Sequence, residues 1–303
     1  MGRPSVVEQQ HLAEIVRTLF PGGELKRWEP LAGGVSATVI ALEIRTQTSD
    51  LETVVLRQHG SSTWKELEDD VTAAEFGVLT ALHRAGFPVP KPLHLDGSGS
   101  VLPSPFFVME QVVGTTEVPE PRRPEAVCRM AETLAQLHGL ETSTLSLPTL
   151  PPRVDPIPEL LQYLPTFLEL RREEIAARQS TYKGPTVLLH GDYWTGNLLW
   201  SDGSIVAVID WEDTAVGDPC SELAQARLEL QWRWGEDATR RFTERYLEAS
   251  TIDLDLARLP LWELYVAATG DAFMEHWGLA PEVEANMRAV TQAFMRDAAA
   301  RLR

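Results

Sequence analysis

Within HGDYWTGN, residues 190–197, an Asp and an Asn stand five positions apart, and the strand-like run IVAVIDWED, residues 205–213, follows closely. This spacing suits phosphoryl transfer. A hydroxyl attacks phosphate readily only if its proton has somewhere to go and the charge on the transferring group is neutralised. Asp192 is the candidate base for the proton. Asn197 is the candidate metal ligand, through its side-chain oxygen. A further carboxylate at a rigid strand end can bridge Mg²⁺ to nucleotide phosphates, and Asp210, thirteen residues after Asn197, stands at such an end.

HGD at 190–192, Asn197 and IDWE at 209–212 together resemble the HGDxxxxN loop and IDWE segment of the aminoglycoside phosphotransferase and choline kinase superfamily, small-molecule kinases related to the protein kinases. The resemblance implies an α+β, two-lobed protein-kinase-like fold. Its small N-terminal antiparallel-sheet lobe with one main helix would be a nucleotide-binding part, 1–112, and its larger, mainly helical part, 113–303, would carry catalysis and the acceptor. It implies ATP, or GTP, as phosphoryl donor with Mg²⁺, and a small hydroxylated molecule as acceptor. His190 then supports the loop rather than acting as a base, and Asp218 in the Gly217-Asp218-Pro219 turn fixes backbone. Glu222 departs from the Asp the family commonly carries there. Gly191 and Trp211 stand where protein kinases have Arg and Phe, and the six residues between Asp210 and Gly217 are too few for a protein-kinase activation segment.

The nucleotide needs three further things. Backbone N–H donors for phosphate are expected from LAGGVSAT, residues 31–38, through Gly33, Gly34 and Ser36, although a Gly-Gly pair is equally a hairpin turn. A cation is expected from Arg57 at the end of TVVLR, where kinases more often use Lys; its planar fork suits phosphate oxygens. Glu75, eighteen residues on and flanked by Ala74 and Phe76, is the expected ion-pair partner. Val55 shares the face of Arg57 by strand alternation and would lie against adenine. In FVMEQV, residues 107–112, Met109 would sit behind the base, while Glu110 and Val112 supply main-chain contacts.

The elements that position these residues can be read from periodicity. An N-terminal helix over about 5–20 is followed by short strands near 28–31, 38–45 and 53–57, a helix from about 64 to 85, an extended FPVPKP connection and a strand over 105–111. A helix then begins at Pro124, and another long one is expected to reach about Gln179. Short strands flank the 190–197 loop, and the chain after Pro219 is helical in pattern.

At 303 residues and 44% hydrophobic the chain can bury two cores. Its 27 basic and 44 acidic residues give −17, which disfavours nucleic acid and anionic membranes as partners and is compatible with a cationic acceptor. The first residues lack the apolar run of a signal peptide and no segment is long enough to span a membrane, so a cytoplasmic location is expected. Cys128 and Cys220 imply neither a disulfide scaffold nor a metal cluster.

Acceptor contacts are expected from the loop and the C-terminal helices. Trp194 stands in the loop, and Glu212 and Asp213 extend the acidic run from Asp210. Asp271 and Glu275, four apart on one helix, repel unless something cationic sits between them. Aminoglycoside, macrolide, choline-like amine, sugar and amino alcohol all remain open as acceptors. The alternative to transfer is a catalytically inactive relative that acts through nucleotide binding, suggested by the departures at the Gly loop, Arg57 and Glu222.

Overall fold

Apolar residues two apart build the first sheet. In the computed structural model, which describes residues 9–31, 37–48, 50–59, 71–179 and 182–302, strands β1 (Glu24–Pro30), β2 (Ala37–Arg45), β3 (Leu51–His59), β4 (Pro92–Asp96) and β5 (Phe106–Glu110) pair antiparallel in the order β1-β2-β3-β5-β4. Ile40, Leu42 and Ile44 of β2, Val54 and Leu56 of β3 and Phe106 and Val108 of β5 form one face. They bury Leu12, Ile15 and Val16 of helix α1 (Gln9–Leu19). Each such side chain stabilises by about 1.5–3 kcal/mol relative to exposure. The alternate positions of β3, Val55, Arg57 and His59, therefore fall on the opposite face, where Val55 pairs with Met109 and Arg57 with Phe107 of β5. Helix α2 (Val71–Arg84) covers that face, its Phe76 ring edge-on to Phe107 at 6.0 Å. Residues 32–36 and 60–70 are outside the described residues, and with them Gly33, Gly34, Ser36 and the expected start of α2.

The chain divides into two units. The first comprises Met1–Gly114, Leu145–Thr149 and Val206–Glu212; the second comprises Thr115–Thr144, Leu150–Ile205 and Asp213–Arg303. The second unit is mainly helical. It contains α3 (Arg123–His138), α4 (Ile157–Leu160), α5 (Arg172–Ala176), α6 (Pro219–Trp234), α7 (Glu236–Ala249), α8 (Leu259–Phe273) and α9 (Pro281–Arg301). Leu160, Leu164, Leu168, Leu228, Leu264 and Phe294 lie together in a buried core.

The single long helix expected up to Gln179 is not formed. Pro156 and Pro158 stand at the start of α4, where proline is tolerated, but Pro165 lacks an N–H and crowds the preceding turn, and the segment is divided into α4, a 3₁₀ stretch (Thr166–Arg171) and α5.

Three short strands carry the loop of interest: β6 (Pro152–Arg153), β10 (Ala215–Gly217) and β7 (Val187–Leu189) form a sheet in that order, with β10 parallel to β6 and antiparallel to β7. Strands β8 (Leu198–Ser201) and β9 (Ser204–Val208) follow as a hairpin, turned at Asp202 and Gly203, whose positive φ values of 51° and 79° fit a tight two-residue turn.

Candidate active site

On the face of the first sheet that α2 covers, β3 and α2 meet the segment after β9. Arg57 Nε donates to Glu75 Oε2 at 2.9 Å, and its Nη2 donates to Asp210 Oδ1 at 2.5 Å and Glu212 Oε2 at 3.1 Å. His59, two residues after Arg57 and therefore on the same face, lies 2.8 Å from Glu75 Oε2 and 3.3 Å from Glu212 Oε2. Both Arg57 and Glu75 are buried. Burial works against the charge on each, but the pairing outweighs it: Arg57 is raised and Glu75 lowered from their ordinary values. Burial likewise pushes His59 down, and its bonds to Glu212 and Glu75 push it up by more.

Trp211 explains the aromatic in IDWE. Its backbone N–H donates to Glu75 Oε1 at 3.2 Å, its indole donates to the Val208 carbonyl at 3.0 Å, and its ring meets Phe87 edge-on at 5.9 Å. These bonds pin the backbone between Asp210 and Glu212. Asp210 itself has φ 68°, a left-handed conformation that Asp tolerates better than most side chains.

In the second unit, the 190–197 loop is anchored from below. Glu222 on α6, fully buried, accepts the Gly191 N–H at 2.6 Å, the His190 N–H at 3.1 Å and His138 Nε2 at 2.9 Å, while His138 Nδ1 meets the Tyr246 hydroxyl at 2.7 Å. Burial raises Glu222, and His138 above all brings it back below its ordinary value. The sequence left this departure from Asp unresolved; here the longer Glu reaches two loop amides at once. Gly191 has φ 94°, and a Cβ there would strike the Asp213 carbonyl. Arg153 Nη1 donates to the Gly191 carbonyl at 3.2 Å, and Tyr193 donates its hydroxyl to Met130 O at 2.8 Å.

Three neutral donors converge on the Asp192 carboxylate: Asn197 Nδ2 at 2.9 Å, Trp194 Nε1 at 3.0 Å and Gln225 Nε2 of α6 at 2.9 Å. Asn197 Nδ2 also donates to the Asp192 carbonyl at 2.8 Å, so its amide nitrogen is turned inward and its oxygen is the atom suited to a hard cation. The Asp192 N–H donates to His190 Nδ1 at 3.1 Å, which makes His190 a brace of the loop backbone. Burial raises the Asp192 carboxyl above its ordinary value, against the lowering by His190 and the Trp194 and Asn197 bonds. Asp218 caps α6, accepting the Cys220 N–H at 3.0 Å, and also accepts from Arg258 at 2.6 Å and Trp262 at 2.7 Å.

Asp192 lies in the wall of a cavity of about 330 Å³ formed largely by α6 and α8 and lined by the aromatic residues Trp232, Trp262, Tyr265, Phe273 and Trp277, with Arg153 and Glu229 among its charged residues. Neither Trp194 nor the acidic pair expected from sequence lines it. The Trp194 ring lies under the Arg233 guanidinium at 4.2 Å, and its N–H is used on Asp192. The cation beside Asp271 is this chain's own Arg288, at 3.1 Å, while Glu275 is exposed beside His276 at 3.6 Å. Asp213 is exposed, and its carbonyl faces Arg153 Nη2. Sequence reasoning also missed His59, Gln225, His138 and Arg153.

Asn197 in the second unit and Asp210 in the first each offer an oxygen of the kind a hard cation takes, and among the described residues no group of three or more His, Cys, Asp or Glu side chains could hold a metal.

A family model described as the phosphotransferase enzyme family matches residues 27–262. Among curated proteins, acyl-CoA dehydrogenase family member 10 of Mus musculus is 26% identical over 224 residues, 64% of this chain and 21% of that protein. The chain thus spans about a fifth of the length of that relative. Among solved structures, choline kinase LicA from Streptococcus pneumoniae has a TM-score of 0.63 at 16% identity, covering 95% of this chain and 99% of that one. A thermostable mutant of the aminoglycoside phosphotransferase APH(4)-Ia, in ternary complex with AMP-PNP and hygromycin B, has a TM-score of 0.60 at 16% identity, covering 95% and 99%. At these identities the likeness shows the fold, a two-lobed kinase-like architecture. No helix among the described residues is long and apolar enough to cross a membrane.

Proposed function

The chain belongs to the phosphotransferase enzyme family, and from that premise we propose that it moves the γ-phosphoryl group of ATP, or of GTP, to a hydroxyl of a small molecule, with Asp192 as the base. The observation that carries this reading is the Asp192 carboxylate itself: raised by burial, oriented by three N–H donors and set in the wall of a cavity. In the proposed step the acceptor oxygen bonds to the γ-phosphorus and the bond from that phosphorus to the β–γ bridging oxygen breaks. ADP leaves, and the hydroxyl proton passes to Asp192.

The nucleotide would be held by Arg57, steadied by Glu75, with Gly33, Gly34 and Ser36 as the phosphate-covering loop. Val55 and Met109, cross-strand partners on one face, would flank the adenine. The Glu110 N–H is given to the Lys91 carbonyl at 2.9 Å, so Glu110 serves the base through its carbonyl and Val112 through its N–H. Asn197 and Asp210 would hold Mg²⁺, which when bound neutralises charge on the β- and γ-phosphates. Glu212, tied to Arg57 and His59, acts on the phosphate side rather than on the acceptor.

The test is acceptor-dependent ADP release with Mg·ATP over a panel of hydroxylated small molecules. Asn197→Ala and Asp210→Asn should each slow release by on the order of a hundredfold, the equivalent of a few kcal/mol of lost charge stabilisation. Unchanged rates in both variants would sink the assignment. Mg·ATP binding with no turnover on any acceptor would favour a nucleotide-binding relative without transfer.

A further inference from the structure

Resting on the transfer reading above, we infer that the acceptor is a hydroxyl compound whose body is uncharged and aromatic or alkyl, seated in the cavity of α6 and α8 with its hydroxyl toward Asp192.

The cavity's rings offer carbon. The Trp232 indole N–H is given to Thr291 Oγ1 at 2.9 Å, that of Trp262 to Asp218 Oδ2 at 2.7 Å and the Tyr265 hydroxyl to Glu159 Oε2 at 2.5 Å, so the polar atoms of these three rings are spent on partners that do not line the cavity. Trp232 and Trp277 meet edge to face at 5.7 Å and extend the same wall, with Phe273 beside them. An apolar body placed there leaves water without stranding a donor or acceptor.

The charges do not favour a cation. Only Arg153, Asp192 and Glu229 are charged among the lining residues. Arg153 donates to the carbonyls of Gly191 and Asp213, and as a cation it opposes an ammonium. Glu229 accepts from Arg233 at 3.4 Å, and burial pushes its carboxyl up to about 7, so it does not offer a full counter-charge at neutral pH. Asp192 is engaged by three donors. A polycation entering this space would be desolvated without partners. At about 330 Å³ the cavity also stands at the small end of ligand pockets, too small for a chain of sugar rings.

Gly270 is the second, independent sign. It lies inside helix α8, where glycine weakens a helix relative to alanine, and it lines the cavity. A Cβ there would sit 3.5 Å from Trp232 Cη2 and 3.9 Å from Trp277 Cη2, which is ordinary contact. A methyl is therefore tolerated, while any longer side chain projects among the rings and takes the acceptor's room.

The experiment measures binding by quenching of tryptophan fluorescence and turnover by phosphate-ester formation with Mg·ATP, using naphthylmethanol, choline and kanamycin as probes on the full chain. Naphthylmethanol should bind most tightly. Gly270→Leu should raise its Kd by about tenfold or more and Gly270→Ala by less than about threefold, with the Mg·ATP-induced thermal shift kept as the check on folding. Choline or kanamycin binding about tenfold more tightly than naphthylmethanol overturns the inference, and this arm needs no variant. So does a Kd for naphthylmethanol that Gly270→Leu leaves unchanged. Binding that Gly270→Leu abolishes, with no ester formed from any probe, upholds the occupant and overturns the transfer reading instead.

Discussion

In the first unit, three carboxylates, Glu75, Asp210 and Glu212, are held by the Arg57 cation and the His59 ring. In the second, Asp192 is held by three neutral N–H donors, while Glu222 beneath its loop faces two backbone amides and His138. The difference lies in what each set of partners does to charge. A cation beside a carboxylate lowers its affinity for a proton, whereas neutral donors fix its direction and quench its basicity less. On the proposed reading, the first arrangement would let Arg57 exchange carboxylates for phosphates, and the second would keep the Asp192 carboxylate aimed to accept a proton.

Breaking the supports should separate the two regions. Glu222→Ala strands two loop amides and a buried His138 at once and should cost about 3–5 kcal/mol, with a correspondingly lowered Tm. Glu75→Ala should cost less, about 2–3 kcal/mol, because Asp210 and Glu212 still face Arg57. Equal losses in the two melting curves would contradict the contrast. Gly191→Ala should cost about 1–3 kcal/mol through its positive φ and the collision with the Asp213 carbonyl. Arg57→Lys keeps a charge but loses the fork that reaches Glu75, Asp210 and Glu212 together. It should raise the nucleotide KM by roughly tenfold with a Tm change worth about 1 kcal/mol, read from initial rates and calorimetry.

The smallest expected effects are in pH, and there the regions differ in consequence. His59 is raised above its ordinary value, so its contribution to stability is complete below that value and is lost as pH rises through the folded-state value. Asp192 is also raised, but as a base it must be ionised, so kcat/KM should climb with pH along an acid limb placed above the ordinary Asp value. Trp194→Phe removes a hydrogen bond that lowers Asp192, and the limb should move further up. A limb that stays or moves down would show that the indole does not orient an ionised Asp192.

What could be read from sequence was what lies close together in sequence. HGDxxxxN places Asp192 and Asn197 in one loop, and alternation in β2, β3 and β5 places Val55 and Arg57 on one face. Contacts across long separations were not legible: Glu222 reaches amides 31 and 32 residues earlier, and Gln225 reaches Asp192 across 33. His59 did carry a signal, since it stands two residues after Arg57 on the same strand face. Asp271 and Glu275 misled because their repulsion implied a cation without saying that Arg288, on α9, supplies one beside Asp271. The run before Gln179 misled because its helix formers outweighed Pro165 in the reading, while in the folded chain that proline stands at the break between α4 and the 3₁₀ stretch.

The most direct test of Asp192 as the base separates binding from transfer in one pair of proteins. With Mg·ATP and an acceptor, phosphorus NMR should show wild type forming ADP and a phosphate ester in equal amounts. Asp192→Asn should keep the Mg·ATP-induced rise in Tm while forming the ester on the order of a thousandfold more slowly. Ester formation at the wild-type rate in Asp192→Asn would contradict the account.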